Sequence, residues 1–162
     1  MRINTSAAIV SSLLGLYIAF GAGSPGQASP TAKLKGQIAV SDEPIPTLDD
    51  EDTIAATVKK WQKPVIEKAK DAEYWTFHMM SFPDKKPATT TLTLLFYDVS
   101  DGKRTYLTSK DISCDADATI LASEVEVSVE DGIKPGMKVE LALSRIVGDR
   151  QTDLARTKLT FK

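Results

Sequence analysis

Beyond residue 73, apolar and polar residues alternate along most of the chain. The first run is Tyr74–Phe82, a second covers residues 89–99, and a third, residues 124–129, has valine at every other position. Asp101-Gly102 follows the second run, where glycine permits the positive φ of a tight hairpin turn. This period of two predicts strands that bury one face and expose the other to water.

Turn-forming residues separate the alternating runs at intervals of roughly ten residues. The last run places Leu159 and Phe161 on the same side of a strand that reaches the final residues. Six or seven such strands are typical of an antiparallel β-sandwich. We therefore assign residues 73–162 to a mainly-β sandwich domain, which truncation of the last strand should damage.

A helical pattern precedes the strands, in residues 53–72. Its apolar positions are Ile54, Val58, Trp61 and Val65. This spacing gathers the four side chains on one face of a helix. Acidic residues come before the pattern and lysines follow it, which complements the helix dipole. Pro64 interrupts the pattern, so we expect a kink or two short helices.

The N-terminal residues have the composition of an export signal. An apolar run over residues 7–20 follows a short segment in which Arg2 is the only charged side chain. This pattern, followed by small residues, is typical of a secretory signal peptide. We predict cleavage after Ala28, so that residues 1–28 are removed and no stable membrane span is left. An uncleaved anchor is the alternative, although the run is shorter than the ~20 residues that cross a bilayer.

Residues 29–52 form a proline-containing, acidic stretch between the signal and the helix. Such a composition predicts a flexible leader. Within it, Ile38 and Val40 alternate with smaller or polar residues, which indicates one short edge strand at most.

Composition excludes several classes of function. Without residues 1–28 the chain has 19 basic and 22 acidic residues, and a nearly neutral protein lacks the basic face that nucleic-acid binding requires.

Cys114 is the sole cysteine, so no internal disulfide can form. We interpret it as a half-buried structural residue, with intermolecular pairing as the alternative, because the adjacent Asp115 disfavours the thiolate.

One short segment resembles a known fold family. Residues 132–141, Gly-Ile-Lys-Pro-Gly-Met-Lys-Val-Glu-Leu, resemble the corner before the penultimate strand of fibronectin type III and related immunoglobulin-like domains. The resemblance covers about ten residues and implies an immunoglobulin-like β-sandwich. Val139 stands where that family has its corner tyrosine, so the usual hydrogen bond at this corner cannot form. Because sandwich folds serve many activities, the resemblance implies no function.

Candidate chemistry is sparse and centres on the first strand. His78, Met79 and Met80 combine imidazole and thioether groups, which are ligands that copper accepts. On a strand, however, His78 and Met80 share one face while Met79 faces the other side. The neighbouring aromatic residues could line a ligand groove, but their size favours a place in the core. No nucleotide-binding loop or nucleophile elbow occurs in the sequence.

These features favour a secreted or periplasmic, non-catalytic β-sandwich without a cofactor. We expect a binding or assembly module of the cell envelope that contacts another envelope protein or a glycan and no nucleic acid. Two alternatives remain open. The first is a small-ligand or copper carrier that uses the strand of His78, Met79 and Met80. The second is a hydrolase that relies on a pair of carboxylates.

Overall fold

The computed structural model describes residues 30–48 and 51–162, which form one α-helix, eight β-strands and two short 3-10 segments. The predicted signal peptide, residues 1–28 with cleavage after Ala28, lies outside the described residues. The helix is α1 (Ile54–Trp61) and the 3-10 segments are Pro30–Leu34 and Glu51–Thr53. The strands are β1 (Gln37–Ser41), β2 (Val65–Ile66), β3 (Tyr74–Phe82), β4 (Thr91–Asp98), β5 (Thr105–Ser113), β6 (Leu121–Ser128), β7 (Lys138–Val147) and β8 (Arg150–Phe161).

All eight strands belong to one mixed sheet that nearly closes into a barrel. Seven follow the hydrogen-bonded order β5-β4-β7-β8-β1-β3-β6, and β2 pairs with the end of β8. The prediction of a mainly-β fold is confirmed. The prediction of six or seven purely antiparallel strands is wrong, because β8 runs parallel to both β1 and β2. Alternation reports which face of a strand is buried, but it carries no information about the direction of the neighbouring strand.

The curled sheet encloses the main hydrophobic core. Trp75 and Phe77 of β3 point inward and pack edge-on against Phe161 of β8, with ring centroids 5.7 and 6.0 Å away. All three side chains are fully buried. The indole Nε1 of Trp75 also donates to the backbone oxygen of Lys162 at 2.7 Å. The end of β8 is therefore held by ring packing on one side and by a hydrogen bond on the other.

A second, smaller hydrophobic cluster lies on the outer face of the sheet, beneath α1. The helix residues Ile54, Val58 and Trp61 are buried as predicted, and they pack on outward-facing side chains of β1 and β3. The sheet residues of this cluster are Ala39, Met80 and Phe82. Because inward and outward positions alternate, β1 and β3 contribute to both clusters, and β3 is buried on both faces from Met79 to Phe82.

The helix is shorter than the predicted 53–72 segment, and the predicted kink is absent from the described residues. It ends at Trp61, and Gln62 is already extended. Pro64 cannot donate the backbone hydrogen bond that a continuing helix needs. The chain instead turns into β2, where Val65 and Ile66 pair with Thr160 and Phe161 of β8.

The leader is also more ordered than predicted. Ile38 and Val40 face the main core while Ala39 faces the helix. β1 pairs with β3 over five residues and with β8 through Gln37, so it is an inner strand and the edge-strand prediction is wrong. The helix covers the outer face of β1. This explains how a short strand within a polar, acidic stretch of sequence comes to lie inside the sheet.

None of the helices in the described ranges has the length and apolar character needed to cross a bilayer.

A polar clasp closes the seam between β5 and β6, the two end strands of the sheet. Asp131, just after β6, accepts hydrogen bonds at Oδ1 from Lys110 Nζ at 3.0 Å and from Thr108 Oγ1 at 3.4 Å. Its Oδ2 accepts from the amide of Ser128 at 2.9 Å. Burial by itself would raise the pKa of Asp131, but the hydrogen bonds from Lys110 and Ser128 hold this pKa below its ordinary value.

Two buried serines differ in their hydrogen bonding, so we expect replacement by alanine to change the free energy of unfolding in opposite directions at the two positions. Ser81 Oγ faces the interior and has no hydrogen-bond partner among the described residues, whereas Ser144 Oγ donates to Asp153 at 2.6 Å. An unsatisfied buried hydroxyl costs about 1–3 kcal/mol, so Ser81→Ala should raise the free energy of unfolding by about 1 kcal/mol. Ser144→Ala should lower it by a similar amount. Urea denaturation of both variants tests this, and destabilisation by Ser81→Ala would contradict it.

Candidate functional site

The three residues of the copper hypothesis do not meet in space. Met79 is buried in the main core and Met80 in the cluster under α1, on opposite faces of β3. His78 lies on the outer face, where its Nδ1 is 3.6 Å from Glu124 Oε2 of β6. In residues 30–48 and 51–162, no three histidine, cysteine or acidic side chains are grouped closely enough to hold a metal ion. The strand therefore does not bring these three side chains together.

The aromatic residues near this strand are used for packing. Trp61, Trp75, Phe77 and Phe82 are all buried in the two hydrophobic clusters, so their rings line no accessible groove. Tyr74, at the start of β3, is 48% exposed.

Cys114 is buried and its Sγ donates to the backbone oxygen of Thr89 at 3.3 Å. Burial, together with the charge of Asp115, raises the pKa of the Cys114 thiol, which disfavours a reactive thiolate.

A different group of side chains stands out on the outer face of β4, β5, β7 and β8. We call it the tyrosine–arginine face, and its members are Tyr97, Arg104, Tyr106, Glu140, Gln151, Asp153 and Arg156. The strand registers bring its parts together: Tyr97 lies opposite Tyr106 on one side and opposite Glu140 on the other. The two tyrosine rings meet edge to face with centroids 6.0 Å apart.

Arg104, which directly precedes β5, links the parts of this face. Its guanidinium carbon lies 3.8 Å above the centroid of the Tyr97 ring, a distance at which cation–π attraction operates. Its Nε forms an ion pair with Glu140 Oε1 at 3.0 Å, and its Nη2 lies 3.6 Å from Asp153 Oδ2. One side chain thus spans from the start of β5 across β4 and β7 to β8.

Asp153 anchors the other end of the tyrosine–arginine face. Its Oδ1 accepts hydrogen bonds from Ser144 Oγ and Gln151 Nε2, both at 2.6 Å. Its Oδ2 accepts from Nε of Arg156 at 2.9 Å and from Nη2 of the same residue. Burial by itself would raise the pKa of Asp153, but the hydrogen bonds from Gln151, Ser144 and Arg156 hold this pKa below its ordinary value.

The chemistry of this face does not suit hydrolysis by a carboxylate pair. A general acid needs a raised pKa, whereas the pKa of Asp153 is lowered, and both of its oxygens already accept hydrogen bonds from the chain. Glu140 is ion-paired with Arg104, although its buried Oε1 accepts no hydrogen bond from the described residues. The arrangement fixes the rotamers of its tyrosine and arginine side chains, which is the property of a preorganised contact surface.

Within the tyrosine–arginine face, the carboxylate side chains are less exposed than the guanidinium side chains. The side chains of Glu140 and Asp153 are 14% and 11% exposed, while those of Arg104 and Arg156 are 33% and 55% exposed. Tyr106 is 55% exposed and its hydroxyl donates to Ser109 Oγ at 3.2 Å. A molecule that approaches from solvent therefore meets guanidinium groups and an aromatic ring before it meets the carboxylates.

Sequence reasoning missed this site, although part of its signal was present. Tyr97 and Tyr106 stand on either side of Asp101-Gly102, so a hairpin would place them close together. Arg104 lies outside the strand, and no periodicity indicates which strands its side chain crosses. Asp153 and Ser144 come opposite each other only after a register shift between Leu143 and Ser144.

Comparisons of the chain with known protein families, with curated proteins and with solved structures found no match.

Proposed function

We propose that this chain is an exported, non-catalytic, mainly-β protein that serves as a binding or assembly module of the cell envelope. It contacts its partner, an envelope protein, through the tyrosine–arginine face. Export and a secreted or periplasmic location rest on the apolar run of residues 7–20 and the small residues up to Ala28. The relation to immunoglobulin-like domains is part of this proposal and rests on residues 132–141.

The observation that carries the binding role is the ordered pairing of exposed aromatic and guanidinium groups. Tyrosine and arginine are enriched in the residues that contribute most to protein interfaces. Here Arg104 is stacked on Tyr97 and held by two carboxylates, so little side-chain entropy is lost when a partner binds. Tyr106 projects beside them with half of its surface free.

Two tyrosines provide a matched test of this proposal. Tyr106 and Tyr74 are exposed to a similar degree, but Tyr74 lies on β3, away from the tyrosine–arginine face. The full chain and its Tyr106→Ala and Tyr74→Ala variants would be produced with export, immobilised, and exposed to an envelope extract of the source organism. Loss of an interface tyrosine costs about 2 kcal/mol or more, which corresponds to roughly thirty-fold weaker binding.

The expected result is that a specifically retained protein is lost with Tyr106→Ala and kept with Tyr74→Ala. Equal retention by all three chains, or equal loss from both variants, would contradict binding through this face. The carrier and hydrolase alternatives gain no specific support. His78, Met79 and Met80 diverge, and Asp153 has the lowered pKa of a structural carboxylate.

A further inference from the structure

The tyrosine–arginine face also indicates the chemistry of its partner. We infer that Arg104 and Arg156 form a carboxylate-binding pair, and that the partner presents an acidic protein segment to it. This inference rests on the proposed function, because it names the partner of the same face. It depends on three observations: the convergence of the two guanidinium groups, their unused donors, and the surplus of positive charge around them.

The two guanidinium groups converge on one atom. Nη2 of Arg104, which directly precedes β5, and Nη2 of Arg156 on β8 both approach Oδ2 of Asp153. The two guanidinium groups are therefore neighbours. The negative charge of Asp153, which is less exposed than either arginine, offsets the repulsion between their positive charges. In each, Nη1 makes no hydrogen bond within the described part of the chain. These donors are directed away from Asp153 by the planar geometry of the guanidinium group.

A carboxylate suits these donors better than a neutral group. Arginine binds carboxylates through parallel N–H donors, and such charge-assisted bonds are about twice as strong as neutral ones. A single carboxylate placed above Asp153 could accept from both arginines. The Tyr106 ring, which packs against the Tyr97 ring over which Arg104 lies, would contact aliphatic groups of the same segment.

The charge of the surrounding surface favours an acidic segment. Lys158 pairs with Glu140 across β7 and β8, and Lys138 lies two residues from Glu140 on the same strand, so both lysines face the same side as the arginines. Both lysines are exposed. Four cationic side chains on this side thus stand against three carboxylates: Glu140 and Asp153, which lie deeper, and the exposed Asp111 of β5.

The inference is tested with a defined probe, hexaglutamate with blocked ends, and the full chain at low ionic strength. The Nε–H resonances of Arg104 and Arg156 are observed by NMR during titration. Saturable shifts of both, with no shift on addition of blocked hexaglutamine, are expected. If the arginine resonances do not move, the carboxylate-binding pair is refuted. If sulfate at equal ionic strength gives the same shifts with the same midpoint, specific carboxylate recognition is refuted.

Variants separate recognition from overall charge. Arg104→Lys with Arg156→Lys keeps the charge above Asp153 and Glu140, which protects the fold, but removes the paired donors. We expect about ten-fold weaker hexaglutamate binding from this variant. Lys59→Gln with Lys60→Gln removes two exposed positive charges from α1 and should leave the affinity within about two-fold. Equal weakening by both variants would show a net-charge effect and overturn the inference.

The outcomes also distinguish this inference from the proposed function. Hexaglutamate needs no natural partner, so its failure to bind removes the carboxylate specificity but leaves the Tyr106 test of partner binding unaffected. Conversely, hexaglutamate binding together with equal partner retention by Tyr106→Ala and Tyr74→Ala would leave an anion-binding surface without the proposed envelope contact.

Discussion

Replacement of Phe161 by alanine should lower the free energy of unfolding by about 3–5 kcal/mol, the usual cost of truncating a buried phenylalanine. Phe161 is fully buried and packs edge-on against Trp75 and Phe77. It also pairs with Ile66 of β2. The substitution would therefore leave a cavity where three strands of the barrel-like sheet meet. A loss of this size is a large part of the 5–15 kcal/mol by which domains of ordinary stability are folded.

Urea denaturation followed by far-ultraviolet circular dichroism measures this effect. The midpoint should fall while the slope of free energy against urea concentration stays unchanged, since the folded structure is otherwise the same. Tyr106→Ala is the matched aromatic control, because that side chain is half exposed on the outer face. It should change the free energy of unfolding by less than about 1 kcal/mol. A loss below 1 kcal/mol in Phe161→Ala would mean that residue 161 does not fill the core.

The sequence predicted individual strands well because burial on one face imposes a local pattern. The predicted run Tyr74–Phe82 matches β3 at both ends. The predicted inward position of Leu159 and Phe161 is confirmed as well. In both cases the information lies within a few consecutive residues, where the period of two sets which side chains face the interior.

The prediction failed where two local patterns compete or where distant strands meet. Val65 continues the helical spacing of Ile54, Val58 and Trp61, yet it forms a strand because Pro64 prevents helix continuation and β8 offers backbone partners. The parallel pairing of β1 with β8 joins residues more than a hundred positions apart in the chain. No local pattern carries that information.

The candidate site was less predictable than the fold, for a related reason. Arg104 acts through atoms on β4, β7 and β8, and its role depends on the order of those strands in the sheet. His78, Met79 and Met80 are adjacent in sequence, which made them conspicuous, but adjacency on a strand sends successive side chains to opposite faces. Ligand groups that converge in a β protein come from neighbouring strands more readily than from neighbouring residues.

The clasp at the β5–β6 seam leads to the second large expected effect: Asp131→Asn should lower the free energy of unfolding by about 2–3 kcal/mol near pH 7. The asparagine amide nitrogen cannot accept the hydrogen bond from the Ser128 amide, and a neutral side chain leaves Lys110 without its counter-charge. β5 and β6 are not paired with each other, so no backbone ladder compensates for the loss. Asp101→Asn, in an exposed turn, should have an effect below about 0.5 kcal/mol.

The pH dependence of stability should separate the charge of Asp131 from its shape. Its pKa in the folded protein lies below the ordinary value of 3.8, so its ionised form stabilises the folded state above that pH. This contribution is lost as pH falls through the lowered pKa, because the carboxylate is then protonated in the folded state too. The free energies of unfolding of the full chain and of Asp131→Asn should therefore converge below pH 4, in denaturation curves measured between pH 7 and 2. A gap that persists unchanged to pH 2 would mean that the clasp depends on packing alone and that the Lys110 ion pair contributes nothing to closing the seam.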